Sequence, residues 1–145
     1  MPLETYKEIL IPIDGSDTAK AAFYKAIAIA NLNHAHLHIL HVIDGRAYDR
    51  ALDFRNSIMN EAAEEMEGVL AKYKKEALDA GVAQVDTYIE FGSPKGIITG
   101  ALLKDLNIDL IVLGAVGKGA VERVLVGSVA EYATRKSPVD TIIAR

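Results

Sequence analysis

Cysteine is absent from the 145-residue sequence, and this absence excludes several functions at once. Without a thiol the chain has no disulfide, no thiolate nucleophile and no cysteine-based metal site. No apolar run approaches the length of a membrane span, so no membrane partner is expected. The chain is long enough for one substantial core and contains no linker, which predicts a single domain over residues 1–145.

An excess of positive charge is also missing, because the formal net charge is −4. Bulk attraction to nucleic acid or to an anionic membrane is therefore not expected. Residues 1–7 lack the basic segment followed by an apolar core that marks a secretory signal. A cytoplasmic location is the resulting expectation.

Two common phosphate-binding motifs are absent as well. The pattern GxxxxGK[ST] fails because Gly119 is followed by Ala120, and GxGxxG fails because Glu122 stands where the third glycine would be. Any phosphate site in this chain must therefore use a different glycine spacing.

The hydrophobic pattern predicts five strands that alternate with helical stretches. Short apolar or alternating runs indicate strands at 8–13, 35–43, 85–91, 109–113 and 140–144, and helical periodicity indicates helices at 18–31, 50–80, 94–105 and 129–136. This alternation is typical of a doubly wound α/β fold, a five-stranded parallel sheet with helices on both faces and right-handed crossovers.

A glycine-rich stretch follows the fourth strand and precedes the last helix. Gly114 and Gly117 are separated by two residues, and nine residues later come Gly127 and Ser128. Glycine lets the backbone approach a ligand closely, and a helix N-terminus favours an anion, so the stretch predicts a phosphate site. The spacing of Ser128 and Glu131 also predicts a capping box in which the Ser128 hydroxyl caps the last helix.

A second unusual stretch, Pro12 to Asp17, follows the first strand. Ser16 or Asp17 can cap the next helix, whereas Pro12 is either a strand end or a rim residue that touches a ligand. Ligands of doubly wound sheets bind outside the carboxyl ends of the strands, where the strand order reverses. We therefore expect strands one and four to be adjacent and to define a crevice.

Three of the four histidines lie on the second predicted strand, and His36 and His38 share one face of it. They have no HExxH pattern and no carboxylate at ligand spacing. The interpretation is surface or core histidines, with no metal site.

Four stretches in the right order resemble the universal stress protein family, specifically its ATP-binding branch with a UspA-like domain. The resemblance lies in the glycine stretch with its lead-in 109–114, in the opening strand and acidic turn 9–16, in His41-Val42-Ile43, and in Gly92-Ser93-Pro94. It covers nearly the whole chain and implies an adenine nucleotide alpha hydrolase-like fold with strand order 3-2-1-4-5.

The resemblance also implies a nucleotide site. Adenine would lie near Pro12, Ile13 and Asp14 with the Val42 backbone at its edge, and the nucleoside would lie beside Gly114 and Ala115. Phosphate donors would come from Gly117, Gly127, Ser128 and Val129, with Lys118 and Arg123 as further contacts or as exposed cations. Asp14 has an alternative role as a turn residue, and Ser128 can serve as cap, phosphate ligand or both.

The expected function is an ATP-binding module for stress response or signalling, in which the bound nucleotide alters stability, assembly or partner choice. ATP with Mg²⁺ or Mn²⁺ is the expected cofactor, held mainly through phosphates and water, with AMP or ADP as alternatives. The competing interpretations are a slow ATPase or phosphotransfer enzyme, and a related fold that binds another nucleotide, a flavin or nothing. No base stands beside the loop, so no catalytic residue is assigned.

The C-terminal strand predicts a homodimer. If strand five lies beside strand four it forms a sheet edge, and the stretch Thr141 to Ala144 has no lysine or proline to protect that edge. A second copy is the expected cover, as the resemblance also implies, through the strand Asp140–Ala144. The alternative is an edge shielded by the chain's own helix.

Overall fold

The computed structural model describes residues 5–44, 52–116 and 127–145. Its strands are β1 (Glu8–Pro12), β2 (His36–Ile43), β3 (Gln84–Phe91), β4 (Leu110–Gly114) and β5 (Asp140–Ala144). Its helices are α1 (Asp17–Asn33), α2 (Leu52–Asp79), α3 (Pro94–Thr99), α4 (Ala101–Asp105) and α5 (Ser128–Lys136). No helix within these ranges is long and apolar enough to cross a membrane.

The five strands form one parallel sheet in the order β3-β2-β1-β4-β5. This confirms both the predicted fold class and the strand order. The central strands β1 and β4 are almost fully buried, which explains why they read as continuous apolar runs without alternation.

Two apolar layers sandwich the sheet. Ile9 and Ile11 of β1 point toward α1 and α2, where Phe23 is fully buried. Leu10, between them in sequence, points to the other face and packs with Ile98 and Leu103 of α3 and α4. The alternation of side chains along a strand therefore assigns successive β1 residues to opposite layers.

The helix predicted over 94–105 is wrong as a single element, because it is interrupted at Gly100. A Cβ atom placed on Gly100 would lie 2.5 Å from the carbonyl oxygen of Gly96. Only glycine permits this close approach, and the chain leaves the helical path there before α4 begins. The apolar spacing of Ile97, Ile98, Ala101 and Leu102 continues across the break, so periodicity alone does not reveal it.

Candidate functional site

The strand order reverses between β1 and β4, which are neighbours at the centre of the sheet. Their pairing covers only Ile9 with Leu110 and Leu10 with Ile111. Beyond these two pairs the strands run on to Pro12 and Gly114 without pairing to each other. The carboxyl ends of β1 and β4 therefore border a crevice, the place where ligands of doubly wound sheets bind.

Pro12 stands where the ladder between β1 and β4 has ended. The next residue, Ile13, donates its N–H to Leu40 of β2 over 2.8 Å. Since successive residues of a strand direct their backbone groups to opposite sides, the ring nitrogen of Pro12 faces β4. Proline has no N–H to donate and cannot continue a ladder of hydrogen bonds. Its position therefore coincides with the point where β1 and β4 stop pairing. Pro12 is thus the strand end, and it also lines the crevice.

A pocket occupies this crevice and encloses about 590 Å³ of empty space, its open mouth included. Residues from β1, β2, β4 and three helices line it: Pro12, Ile13, Asp14, Ser16, Ala19, Val42, Pro94, Ile98, Leu113, Gly114, Val116, Val129 and Ala130. The walls are mostly apolar, and among the described lining residues Asp14 is the only one with an ionisable side chain.

A tight turn at the end of β1 holds Asp14 at the pocket. One carboxylate oxygen of Asp14 accepts the N–H of Ser16 over 2.9 Å. Gly15 between them has φ of 86°, a left-handed conformation that favours glycine. The Ser16 hydroxyl in turn accepts the N–H of Ala19 over 3.1 Å, which confirms Ser16 as the cap of α1. The turn role of Asp14 is therefore observed, and a nucleoside contact through its carboxylate stays a prediction.

The end of β4 is fixed against the first turn of α1. The Thr18 hydroxyl donates to the carbonyl oxygen of Val116 and accepts the Val116 N–H over 3.3 Å. Gly114 passes so close to α1 that an added Cβ would lie 2.6 Å from the Thr18 carbonyl carbon and 2.7 Å from the Ala19 nitrogen. The close packing of the Gly114 backbone against α1 therefore fixes the point where the glycine-rich stretch begins.

The two ends of the glycine-rich stretch meet. The Gly127 N–H donates to the carbonyl oxygen of Ala115, and the Ala115 N–H donates to Ala144 of β5 over 2.7 Å. Ala115 is buried beneath the junction. Ala115 and Gly127 are therefore held together beside the pocket, and Gly127 leads directly into α5.

The predicted capping box at α5 is wrong. Gly127 is the N-cap residue, with extended angles, and Ser128 is already the first residue of the helix. Glu131 pairs instead with Arg135 one turn later, over 2.6 Å. The Ser128 side chain is exposed and has no capping role. The N–H groups of the first turn of an α-helix lack intrahelical acceptors, and this turn contains the pocket residues Val129 and Ala130.

The structure brings most predicted site residues together. Pro12, Ile13, Asp14, Val42, Gly114 and Val129 line the pocket, while Ala115, Gly127 and Ser128 lie at the junction beside it. Gly117, Lys118 and Arg123 lie outside the described residues, so their predicted contacts remain predictions.

Sequence reasoning missed several residues that shape the site. Thr18 is the most important, because it joins β4 to α1, yet a threonine in the first turn of a helix gives no distinctive signal. Pro94 and Ile98 come from α3 and also line the pocket. Helix starts that follow strands approach the same edge of the sheet, so the topology could have indicated Pro94. Ile98 reads only as a core residue.

The chain matches the model of the universal stress protein family over residues 5–145. It is 44% identical over 141 residues to the putative universal stress protein SERP1273 of Staphylococcus epidermidis, covering 97% of this chain and 85% of that protein. This chain belongs to the universal stress protein family. The match extends over all five strands and both stretches that border the pocket.

Solved structures of the family have the same fold. Universal stress protein UspA from Lactobacillus plantarum superposes with a TM-score of 0.91 at 34% identity, over 99% of this chain and 100% of that one. More distant universal stress proteins share the fold and are complexes with small molecules. One is in complex with cAMP, at TM-score 0.72, 22% identity and 98% coverage of each chain. One from Archaeoglobus fulgidus is in complex with dAMP, at TM-score 0.71, 19% identity and coverage of 98% and 100%.

Proposed function

We propose that this universal stress protein binds ATP in the crevice between β1 and β4 and serves as a stress-response or signalling module. The observation that carries the proposal is the lining of the pocket, which is apolar over most of its walls and includes the first turn of α5. An adenine ring requires apolar walls, and a triphosphate requires backbone N–H donors. The apolar walls of the pocket therefore suit the adenine, and the N-terminus of α5 suits the phosphates. The cAMP and dAMP complexes support adenine nucleotides as ligands of this fold.

Each part of the nucleotide has a proposed contact. Adenine lies against Pro12 and Ile13, and the edge of the ring meets the backbone of Val42. The His41 ring supports this wall, because its Nδ1 donates to the Ile13 carbonyl over 2.7 Å. Asp14 accepts from the ribose hydroxyls or from the adenine amine.

The phosphates lie at the start of α5 in this proposal. Gly127, Ser128 and Val129 supply backbone N–H groups there, and the exposed Ser128 hydroxyl is available as a further donor because it does not cap the helix. Gly117, Lys118 and Arg123 complete the site, and Mg²⁺ or Mn²⁺ accompanies the phosphates. AMP and ADP can use the same nucleoside contacts.

Binding, rather than catalysis, is the function that the described lining favours. Phosphoryl transfer requires metal coordination, a positioned nucleophile and charge stabilisation. Asp14 is the single carboxylate among the described lining residues, and the turn already occupies one of its oxygens. We therefore propose that nucleotide occupancy modulates stability, assembly or partner choice. The cytoplasmic location stays a prediction.

The first test is thermal unfolding with and without Mg-ATP. A ligand that binds only the folded state stabilises it by about 2.7 kcal/mol at one hundred times its Kd. For a domain of this size the Tm should rise by roughly 5 to 10 °C. No change in Tm at millimolar Mg-ATP would contradict the proposal.

Asp14→Asn is the matched variant for this test. The asparagine side chain keeps an oxygen for the Ser16 N–H, so the Tm without nucleotide should not change. Losing a hydrogen bond to a charged acceptor costs about 1.5–3 kcal/mol, so ATP affinity should fall by roughly 10- to 100-fold. Asp17→Asn removes the same charge from an exposed position outside the pocket lining and should leave affinity unchanged. Equal loss in both variants would indicate a general effect of charge.

We also propose that the protein is a homodimer joined through β5. Among the described strands, β5 lies at the edge of the sheet and neighbours β4 alone. The Ala144 carbonyl accepts the Ala115 N–H, so Ala144 and Ile142 direct their backbone N–H and C=O groups toward β4. Thr141 and Ile143 therefore direct theirs to the open edge. Two such edges pair antiparallel about a twofold axis, a self-complementary arrangement.

A further inference from the structure

A polar cluster lies at the opposite end of the sheet from the pocket. Glu8 begins β1 and His36 begins β2, and the two residues are register partners. His38 follows two residues later, so its side chain shares a face with His36. The sequence shows no carboxylate at ligand spacing from these histidines, but the sheet supplies one across 28 residues of chain.

One carboxylate oxygen stands between the two imidazole rings. Glu8 Oε1 lies 3.0 Å from His36 Nδ1 and 3.0 Å from His38 Nε2. The two rings lie close together, with centroids 3.9 Å apart. Two nitrogens and one oxygen therefore converge on one point.

A second set of side chains fixes the ring orientations. Asp86 of β3 contacts the other nitrogen of His36, Nε2, over 2.6 Å. The Tyr88 hydroxyl contacts the other nitrogen of His38, Nδ1, over 2.8 Å. Metal-bound histidines characteristically make such outer contacts to a carboxylate or another polar group, which select the tautomer and aim the coordinating nitrogen. Asp86 and Tyr88 are thus positioning residues.

The hydrogen count at His36 requires either a proton or a metal ion between its Nδ1 and Glu8. A neutral imidazole carries one N–H, and carboxylates only accept. When His36 Nε2 donates to Asp86, its Nδ1 presents a lone pair to Glu8 Oε1, another acceptor, at 3.0 Å. Two acceptors at that distance repel unless a proton or a metal ion lies between them.

The second histidine is buried. The His38 side chain is 3% exposed, so its ring contacts protein groups rather than solvent. Glu8 is 26% exposed and Asp86 48%, so the cluster opens to solvent on the carboxylate side. An ion can enter there, and water can complete its coordination.

We propose that Glu8, His36 and His38 form a binding site for one divalent transition-metal ion of the zinc type. Glu8 Oε1, His36 Nδ1 and His38 Nε2 are the protein ligands, and a water molecule is the fourth. Imidazole nitrogens with one carboxylate suit Zn²⁺, Co²⁺ and Ni²⁺ rather than Mg²⁺ or Ca²⁺. The ion would join β1 to β2 at the amino ends of the strands, away from the nucleotide pocket.

The observed spacing is close to that of a metal centre. The three ligand atoms lie within 4.8 Å of one another. Ligands of a tetrahedral zinc ion at about 2.0 Å stand about 3.3 Å apart. The two contacts to Glu8, at 3.0 Å each, are already near this value.

The test is calorimetric titration of ZnCl₂ into the full chain, purified without a polyhistidine tag and dialysed against chelator. We expect one ion per chain with a Kd in the micromolar range or tighter. Glu8→Gln and His36→Gln should each weaken binding by more than about 100-fold, because each removes a direct ligand. His34→Asn is the control, since His34 is an exposed histidine in a left-handed conformation that asparagine tolerates.

Cobalt gives a second readout that depends on the geometry of the site. Co²⁺ bound to the wild-type chain should show the intense visible absorption of a tetrahedral ion, and Tyr88→Phe should weaken its affinity by about 10-fold or more. Far-UV circular dichroism verifies that each variant folds. Absence of zinc binding, or zinc binding that survives Glu8→Gln and His36→Gln, would overturn the proposal. So would equal loss in His34→Asn, which would indicate adventitious surface binding. A variant that loses zinc but keeps its Tm shift with Mg-ATP separates this site from the nucleotide site.

Discussion

Gly114→Ala is expected to destabilise the domain and to abolish nucleotide binding. The new Cβ would lie 2.6 Å from the Thr18 carbonyl carbon and 2.7 Å from the Ala19 nitrogen, both backbone atoms of α1. Backbone does not yield as a flexible side chain does, so β4 and α1 must separate. Overpacking of this kind costs about 1–3 kcal/mol, and Gly114→Val should cost more.

The loss of binding follows from the same displacement. Moving the start of α1 shifts Ser16 and breaks the Thr18 contacts with Val116, so both sides of the pocket move. Urea denaturation measures the free energy of unfolding, and calorimetry with Mg-ATP measures the affinity at a temperature where the variant is still folded.

Gly68→Ala is the matched control for this variant. Gly68 lies within α2, and an added Cβ there meets no heavy atom within 4 Å. Alanine is the better helix former, so this substitution should stabilise the protein by about 0.5–1 kcal/mol and leave ATP affinity unchanged. A Gly114→Ala protein as stable as the wild type would refute the close-packing account.

The second large effect is expected at the proposed dimer interface, where Thr141→Pro should leave the protein monomeric. Proline at position 141 removes an N–H that faces the open edge and leaves the β4 pairing of Asp140 and Ile142 in place. Light scattering at micromolar concentration should give twice the chain mass for the wild type and the single-chain mass for the variant.

Thr141→Val is the control for that experiment, because it keeps both the N–H and the β-branched shape. Charged substitutions at Ile142 and Ile143 are less informative. Ile142 packs against the core on the α1 side and Ile143 against the core on the opposite side, so they would disturb the monomer as well. A folded Thr141→Pro protein that remains a dimer would place the interface elsewhere.

Much of the fold was predictable because its signals are local. Continuous apolar runs identify β1 and β4 as strands buried on both faces, and the two ligand-like stretches after them indicate that they are neighbours. Ser16 was predictable as one of two candidate caps, with Asp17, because serine and aspartate both favour the position just before a helix. The family resemblance supplied the remaining strand order.

The parts that escaped prediction depend on contacts between distant segments. The Ser128 capping box fails because Gly127, held by its hydrogen bond to Ala115, takes the cap position. Glu8 and His36 meet only through the β1–β2 register, and Thr18 meets Val116 only after β4 has docked on α1. The spacing of these residues along the chain does not indicate that they are in contact.

The most direct test of nucleotide binding is to denature freshly purified protein and identify the released small molecule by mass spectrometry. We predict an adenine nucleotide, in an amount that approaches one per chain. A flavin in its place would contradict the account, and so would the release of no nucleotide from a protein whose Tm does not respond to millimolar Mg-ATP.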